Sequence, residues 1–295
     1  MKLLGTVLAL QLVLGFALIA LVATDNVPFV DGDDGDDARA AVRPTVDRFD
    51  SAAAWRLLEA QVELGPRPAG SPASRQLAER LRRMLPEGRF QAVPGGLRNV
   101  IGTVRGREPG YIVVGAHYDT KDIEGFVGAN DAAGGTAAVV ELARTVERPK
   151  HTTHFILFDG EESPRGTEDG NFAEEGLRGS KVAARRFGRA RAMVLLDFVA
   201  DRRLCIPREG LSNPRLWGRL RAAAGRVGAG RSFPGDTQGV IQDDHLPFVQ
   251  AGVPSIDLID FDFSCWHRTC DDLSAVSERS LDVSGETVLE LIRNL

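Results

Sequence analysis

The amino-acid sequence predicts an α/β fold, a three-layer αβα sandwich built around a mixed, mainly parallel sheet. Short apolar runs alternate along the chain with longer segments in which apolar residues recur at helical spacing. Several of the short runs lack polar residues, as expected of strands that are covered on both faces. Strands that alternate with helices are typical of a parallel sheet enclosed by two helical layers.

The predicted strands are short apolar runs that end at glycine or polar residues. The clearest of them is the run 155–158, since Phe-Ile-Leu-Phe contains no polar side chain and suits a strand buried on both faces. In chain order the predicted strands are residues 99–104, 111–116, 153–158, 192–196 and 255–259.

The predicted helices show small and apolar residues three and four positions apart. Ser71 is a suitable N-cap for the second helix, because Pro72 can occupy the first helical position. In chain order the predicted helices are residues 49–64, 72–85, 134–146, 177–187, 211–227 and 280–292.

The N-terminal region differs in composition from the rest of the chain. Residues 1–23 are almost wholly apolar and long enough to span a bilayer, so they are predicted to be an export signal or a membrane anchor. Leu18 and Leu21 fit the small-residue pattern before a cleavage site poorly, which favours the anchor. We therefore expect an extracytoplasmic protein, membrane-anchored or secreted. Residues 24–48 are predicted to be an acidic flexible linker, and residues 49–295 a single catalytic domain.

The charge of the chain is concentrated in the predicted linker. The net charge is −5, and residues 24–40 account for all of it with six Asp and one Arg. The rest of the chain is nearly neutral, so the composition gives no support for a nucleic-acid-binding surface. A hydrophobic content of 43% supplies enough apolar residues for a sizeable core.

The three cysteines leave two alternatives open. Cys265 and Cys270 flank a Trp-His pair, and a disulfide between them is feasible in an exported protein. Two free thiols are equally compatible with the sequence. Because no two cysteines have CxxC spacing, we do not expect a cysteine-based zinc site.

Two histidines and several carboxylates lie at or near the carboxyl ends of predicted strands or in nearby turns and loops. Open α/β sheets bind ligands at the carboxyl ends of their strands, so we expect these side chains to lie close together. Imidazole nitrogens and carboxylate oxygens are ligands that zinc prefers. The sequence therefore predicts a zinc hydrolase or transferase. The residues concerned are His117, Asp131, Glu161, Glu162, Asp197 and His267.

Three of these positions have a local pattern of their own. Glu161 and Glu162 are adjacent and point in different directions, so one can bind metal while the other acts as a general base. Two adjacent acids in a loop are usually only solvated, but a buried strand leads directly into these two. His117 is followed by Asp119, whose carboxylate is expected to accept from the imidazole ring. Asp131 precedes a helix, so an N-cap role is an alternative.

The motifs from about Gly65 to the C-terminus resemble metallopeptidase family 28, which contains zinc aminopeptidases and a glutaminyl cyclase branch. The resemblance implies one or two zinc ions and makes Glu161 the acid and base. The implied ligand pairs are His117 with Asp197 and Glu162 with His267, and Asp131 is shared between the two ions. In the cyclase branch a single zinc is held by the positions that match Asp131, Glu162 and His267.

The features that separate the two branches are mixed in this chain. The Asp243-Asp244-His245 motif and the Trp266-His267 pair are similar to the cyclases. The Asn-Asp-Ala-Ala-Gly-Gly turn at 130–135 is similar to the peptidases, and Asp257 stands where cyclases carry a second His. We expect Asp243 and His245 next to the substrate or behind the metal ligands. Trp266 is expected either to cover an apolar pocket or to be a core aromatic residue.

These features predict an enzyme that acts on the free N-terminus of peptides or proteins. Our main hypothesis is an aminopeptidase in which Glu161 is the general base. The alternative is a glutaminyl-peptide cyclotransferase, which forms N-terminal pyroglutamate and releases ammonia. A third hypothesis is an inactive, membrane-tethered ectodomain, and the retention of every candidate ligand weighs against it.

Overall fold

The computed structural model describes residues 42–167 and 169–295. Within them, six strands form one sheet in the order β1-β2-β4-β3-β5-β6. The strands are β1 (Arg89–Val93), β2 (Leu97–Val104), β3 (Glu108–His117), β4 (His151–Phe158), β5 (Met193–Leu196) and β6 (Ser255–Leu258). The pairs β3/β4, β3/β5 and β5/β6 are parallel, whereas β1/β2 and β2/β4 are antiparallel. The predicted mixed, mainly parallel sheet is therefore confirmed.

Helices cover both faces of the sheet. Alternate residues of β3 point to opposite faces, since Ile112 and Val114 belong to one apolar cluster and Val113 belongs to the other. The helices are α1 (Ser51–Val62), α2 (Pro72–Met84), α3 (Gly135–Thr145), α4 (Phe172–Glu175), α5 (Arg178–Phe187), α6 (Pro214–Arg226), α7 (Leu246–Gln250) and α8 (Glu278–Asn294). The larger cluster includes residues of α1, α2, α3, α6 and α8, and the smaller one includes residues of α5 and α7.

Every predicted helix and strand corresponds to an observed element, and their ends differ by three residues or fewer. Ser71 is the N-cap of α2, and its hydroxyl accepts from the Ser74 backbone N–H at 3.1 Å. The sequence does not predict β1, α4 or α7. The first is a half-exposed edge strand without a continuous apolar run, and the other two are only four and five residues long.

The predicted signal or anchor and most of the predicted linker lie outside the described residues. The last residues of that linker contact the domain: the Thr45 backbone N–H donates to the Val227 carbonyl at 2.8 Å, and the Arg48 side chain lies 2.9 Å from Glu290 of α8. Among the helices within 42–167 and 169–295, none combines the length and apolar composition needed to cross a bilayer.

One close helix contact gives a test of the packing. A Cβ atom added at Gly285 of α8 would overlap the buried Phe49 ring. We expect Gly285→Ala to lower the free energy of unfolding by about 1–3 kcal/mol, the usual cost of overpacking a core. Gly218→Ala in α6 is the matched control, because no atom lies within 4 Å of its added Cβ. Urea unfolding should show it slightly stabilised, by about 0.5–1 kcal/mol. Equal stability of the two variants would contradict this packing.

Candidate metal and active site

The candidate site lies at the carboxyl edge of the parallel strands. His117 ends β3, the Glu161-Glu162 pair follows β4, and Asp197 comes directly after β5. Neighbouring parallel strands end at the same edge of a sheet, which brings these distant positions together. Beside them is a cavity of about 320 Å³, whose lining includes Glu161, Glu162, Asp197, Asp131 and His267.

The first group of candidate ligands surrounds the ring of His117. Its Nε2 atom lies 3.4 Å from one Asp131 oxygen and 3.4 Å from one Asp197 oxygen. Two ligand atoms on a tetrahedral zinc ion, each about 2.0–2.1 Å from the metal, lie about 3.3–3.4 Å apart. The three side chains are buried and have the spacing and donor atoms that suit Zn²⁺.

The second group shares Asp131 with the first. The Nε2 atom of His267 lies 3.5 Å from the other Asp131 oxygen and 3.2 Å from Glu162 Oε1. This group also has the spacing of tetrahedral zinc ligands. Since Asp131 offers one oxygen to each group, the five predicted ligands can hold one or two ions.

The orientation of His117 differs from the prediction in one respect. Its Nδ1 atom faces the backbone carbonyl of Asp119 at 3.0 Å, whereas the Asp119 carboxylate is 4.0 Å away. That carboxylate instead accepts from the backbone N–H groups of residues 160–162, at 2.9, 3.2 and 3.2 Å. Because β3 and β4 are adjacent and parallel, the loop after one strand reaches the loop after the other. Asp119 therefore fixes the glutamate pair with its side chain and His117 with its carbonyl.

The turn that carries Asp131 is held by Asp271, which sequence reasoning missed. The Asp271 carboxylate accepts from the backbone N–H groups of Asn130 at 2.7 Å and Asp131 at 3.0 Å. Ala132 has a φ of 113°, a conformation that only surrounding contacts maintain in a residue with a side chain. The N-cap alternative for Asp131 is wrong, because Gly134 occupies that position of α3.

Arg67 is a second residue that sequence reasoning missed. Its guanidinium is buried and donates to the carbonyls of Val127 at 2.6 Å and Gly128 at 3.2 Å, just before the Asp131 turn. Burial lowers the pKa of Arg67 to about 10, which still leaves it charged at neutral pH. The Arg67 guanidinium places a positive charge close to Asp131 and Asp271. The carboxylates of these two residues raise the pKa of Arg67 and so partly offset its lowering by burial.

The adjacent glutamates occupy different environments. Glu161 lines the cavity and belongs to neither ligand group among the described residues. Burial, and then the neighbouring Glu162 carboxylate, raise the pKa of Glu161 well above its ordinary value. Burial alone would raise the pKa of Glu162, but contacts with His267 and with Lys121 at 2.9 Å hold it below its ordinary value. This difference supports a metal-ligand role for Glu162 and a proton-transfer role for Glu161.

The loop that carries His267 is closed by a disulfide between Cys265 and Cys270, which decides between the two alternatives left open by the sequence. Trp266 is 46% exposed and lines the cavity, so its interpretation as a core residue is wrong. Its ring stacks on the His267 imidazole, with 4.6 Å between the ring centroids. The centroid of the Phe261 ring lies 5.1 Å from that of Trp266. The candidate metal ligand His267 therefore lies in a loop closed by a disulfide, and its ring packs against the aromatic ring of Trp266.

Asp243 and His245 lie at different depths. Asp243 lines the cavity, whereas His245 is completely buried and is not part of the cavity wall. The two ring nitrogens of His245 face Glu209 at 3.2 Å and Asp257 at 3.5 Å. His245 therefore lies outside the cavity lining and has no direct access to a substrate.

A mixed α/β sheet with His and carboxylate groups gathered at its carboxyl edge is the architecture of the zinc exopeptidase type. The chain belongs to peptidase family M28, whose sequence pattern matches residues 99–292. It is 30% identical to the glutaminyl-peptide cyclotransferase of Bos taurus over 272 residues, which cover 75% of each chain.

Two solved structures from Bacteroides thetaiotaomicron share the fold with TM-scores of 0.75 and are each 29% identical in sequence. One is a leucine aminopeptidase precursor, and the comparison covers 85% of this chain and 99% of that one. The other is a glutaminyl cyclase bound to N-acetylhistamine, with coverage of 85% and 100%. The solved structures that resemble this chain thus carry the names of both kinds of enzyme considered from the sequence.

Proposed function

We propose that the protein is a glutaminyl-peptide cyclotransferase, which converts an N-terminal glutamine into pyroglutamate and releases ammonia. The observation that carries the proposal is the similarity to the bovine cyclotransferase over three quarters of both chains. This similarity and the cyclase structure favour the reaction that the sequence patterns placed second, ahead of the aminopeptidase.

The cavity suits a substrate that inserts its first residue. A volume of about 320 Å³ is at the lower end for ligand sites and accommodates one side chain with its α-amine. Bound zinc, held by Asp131, Glu162 and His267, would polarise the side-chain amide carbonyl of the glutamine. Phe261 and Trp266 form an apolar part of the cavity wall against which the inserted side chain can pack.

In this proposal Glu161 moves the proton of the reaction. The α-amine nitrogen forms a bond to the side-chain amide carbon, and the bond from that carbon to the amide nitrogen breaks. Glu161 takes a proton from the attacking amine and delivers it to the departing nitrogen, which leaves as ammonia. Burial raises the pKa of Glu161, and a carboxylate that is more basic than usual is a better acceptor for the proton of the attacking amine.

A second candidate function is the aminopeptidase. It is favoured by the two ligand groups that share Asp131, because two adjacent ions can activate water and stabilise the leaving group of a peptide bond. In that reaction Glu161 would take a proton from water and pass it to the leaving amine.

The two functions give different products from one substrate. We expect a peptide with N-terminal glutamine to yield ammonia and a cyclised peptide that keeps its full sequence. Mass spectrometry and an ammonia assay on the purified protein measure both products, and a matched peptide with N-terminal leucine is the control. Release of free glutamine or leucine, without ammonia, would overturn the cyclotransferase proposal in favour of the peptidase.

A further inference from the structure

The loop that carries Glu161 is hydrogen-bonded along both sides of its backbone. On one side, the three N–H groups of residues 160–162 donate to the Asp119 carboxylate. On the other side, the carbonyls of Gly160 and Glu161 accept from the backbone N–H groups of the segment 177–178, each at 2.8 Å. That segment leads into α5, so the start of this helix is bound directly to the loop after β4.

The guanidinium of Arg178 completes the carbonyl side of this loop. Its Nη2 atom donates to the Glu162 carbonyl at 2.9 Å, and its Nε atom donates to the Gly160 carbonyl at 3.3 Å. An arginine can bind two carbonyls at once because its N–H donors lie in one rigid plane. The side chain therefore bridges the residues on either side of Glu161, and all six backbone groups of the loop 160–162 are paired.

Two backbone positions are adapted to this contact. Gly160 has a φ of 74°, and a Cβ atom added there would lie 2.8 Å from Nε and 2.9 Å from Cζ of Arg178. A side chain at this position would displace the guanidinium. Leu177, whose N–H binds the Glu161 carbonyl, has a φ of 53°. This left-handed conformation is unfavourable for a residue with a side chain and persists only where surrounding contacts maintain it.

Arg178 is placed to act on the reaction only through the loop. Glu161 lines the cavity, whereas the partly buried Arg178 is not part of the cavity lining. A general acid or base must lie within hydrogen-bond reach of the proton that it transfers. A displacement of about 1 Å, caused by a change away from the reacting atoms, can lower a rate by roughly 100-fold. The position of the loop backbone is therefore important for the proton transfer by Glu161.

We propose that Arg178 is a positioning residue, which holds the backbone of the loop 160–162 so that the Glu161 carboxylate stays directed at the reacting atoms. The inference rests on the proposed role of Glu161 in proton transfer, which the cyclotransferase and the aminopeptidase share. Glu162 has a separate support, since Lys121 binds its carboxylate at 2.9 Å. Loss of the guanidinium should therefore disturb Glu161 more than this candidate metal ligand.

The test compares single and double variants of the full chain. Arg178→Met keeps an apolar side chain but cannot donate to the two carbonyls. We expect kcat for a glutamine-led peptide to fall roughly 10- to 100-fold, while KM and zinc content stay unchanged. In a protein that already carries Glu161→Gln, the same replacement should lower kcat little further, because the two residues act as a unit. Arg185→Met is the matched control in α5, since Arg185 is exposed, and it should leave kcat unchanged.

Two further measurements separate positioning from a general loss of structure. Arg178→Lys keeps the charge and can still bind a carbonyl, so it should retain part of the kcat that Arg178→Met loses. Hydrogen–deuterium exchange should become faster at the N–H groups of residues 160–162 in Arg178→Met and stay unchanged in the strand β4. The exchange does not depend on the reaction. Failure of the unmodified protein to release ammonia would count against the proposed function, whereas unchanged exchange would count against the role of Arg178.

Three other results would also overturn the proposal. The first is an unchanged kcat in Arg178→Met. The second is an equal fold-loss of kcat from this replacement with and without Glu161→Gln, which would show that Arg178 does not act through Glu161. The third is loss of zinc from Arg178→Met, which would place the effect at Glu162 instead. If Arg178→Met does not fold, Arg178→Lys replaces it in the same comparisons.

Discussion

Replacing Glu161 by Gln should lower turnover by roughly two to four orders of magnitude, the usual contribution of a general acid and base. The amide keeps the shape of the side chain but cannot accept the proton of the attacking amine. Because Glu161 belongs to neither catalytic ligand group in the described structure, zinc content should remain that of the unmodified protein. Steady-state ammonia release from a glutamine-led peptide and elemental analysis of zinc measure the two effects.

The adjacent residue is the matched control for this experiment. Glu162→Gln makes the same chemical change one position later, where the carboxylate lies 3.2 Å from His267. We expect this variant to lose zinc from the cavity as well as activity. Zinc loss from the Glu161 variant with retention in the Glu162 variant would show that the roles of the two residues are reversed.

Replacing Asp131 by Ala should remove the zinc bound in the cavity and reduce activity to the background rate. Asp131 provides one oxygen to each catalytic group, so its loss leaves each group with only two protein ligands. A chelator should likewise inactivate the unmodified protein, and added Zn²⁺ should restore activity to that protein but not to the Asp131 variant. Full activity of the metal-free protein would exclude zinc catalysis.

Single histidine variants then identify which group holds the catalytic ion. His267→Ala disables the group with Glu162, and His117→Ala disables the group with Asp197. For a cyclotransferase with one zinc ion, we expect the first variant to lose zinc and activity and the second to retain the catalytic ion. Loss of one zinc equivalent in each variant would indicate two occupied groups and favour the peptidase.

The sequence predicts the fold and the candidate ligands for the same physical reason. Strands buried on both faces appear as continuous apolar runs, so the polar residues that end them are conspicuous. His117 and Asp197 could be found in this way, since each lies at the end of a run, and the Glu161-Glu162 pair lies just beyond another. Asp131 was marked by the Gly-rich turn before α3.

The residues that sequence reasoning missed act through backbone groups. Arg67 donates to backbone carbonyl groups and Asp271 accepts from backbone N–H groups of the segment 127–131. Asp119 was predicted, but its side chain accepts from the N–H groups of the loop after β4 instead of from His117. Every residue offers a backbone carbonyl, and every residue except proline also offers a backbone N–H group. The sequence therefore does not show which of these groups a side chain will bind. Such pairings depend on how the strands are placed side by side. The local sequence also could not predict the buried position of His245, because its neighbours Glu209 and Asp257 come from distant segments of the chain.

The disulfide between Cys265 and Cys270 has a consequence for the kinetics of metal exchange. The loop that it closes contains His267, and the next residue, Asp271, holds the backbone of Asp131. The disulfide therefore restricts the candidate metal ligand His267 directly and the candidate ligand Asp131 through Asp271. A ligand that is already ordered loses little conformational freedom when the ion binds, and it remains in place if the ion briefly departs. We expect reduction of these two sulfurs to speed zinc dissociation while the sheet stays folded, so that the redox state of the loop sets how long an ion stays bound.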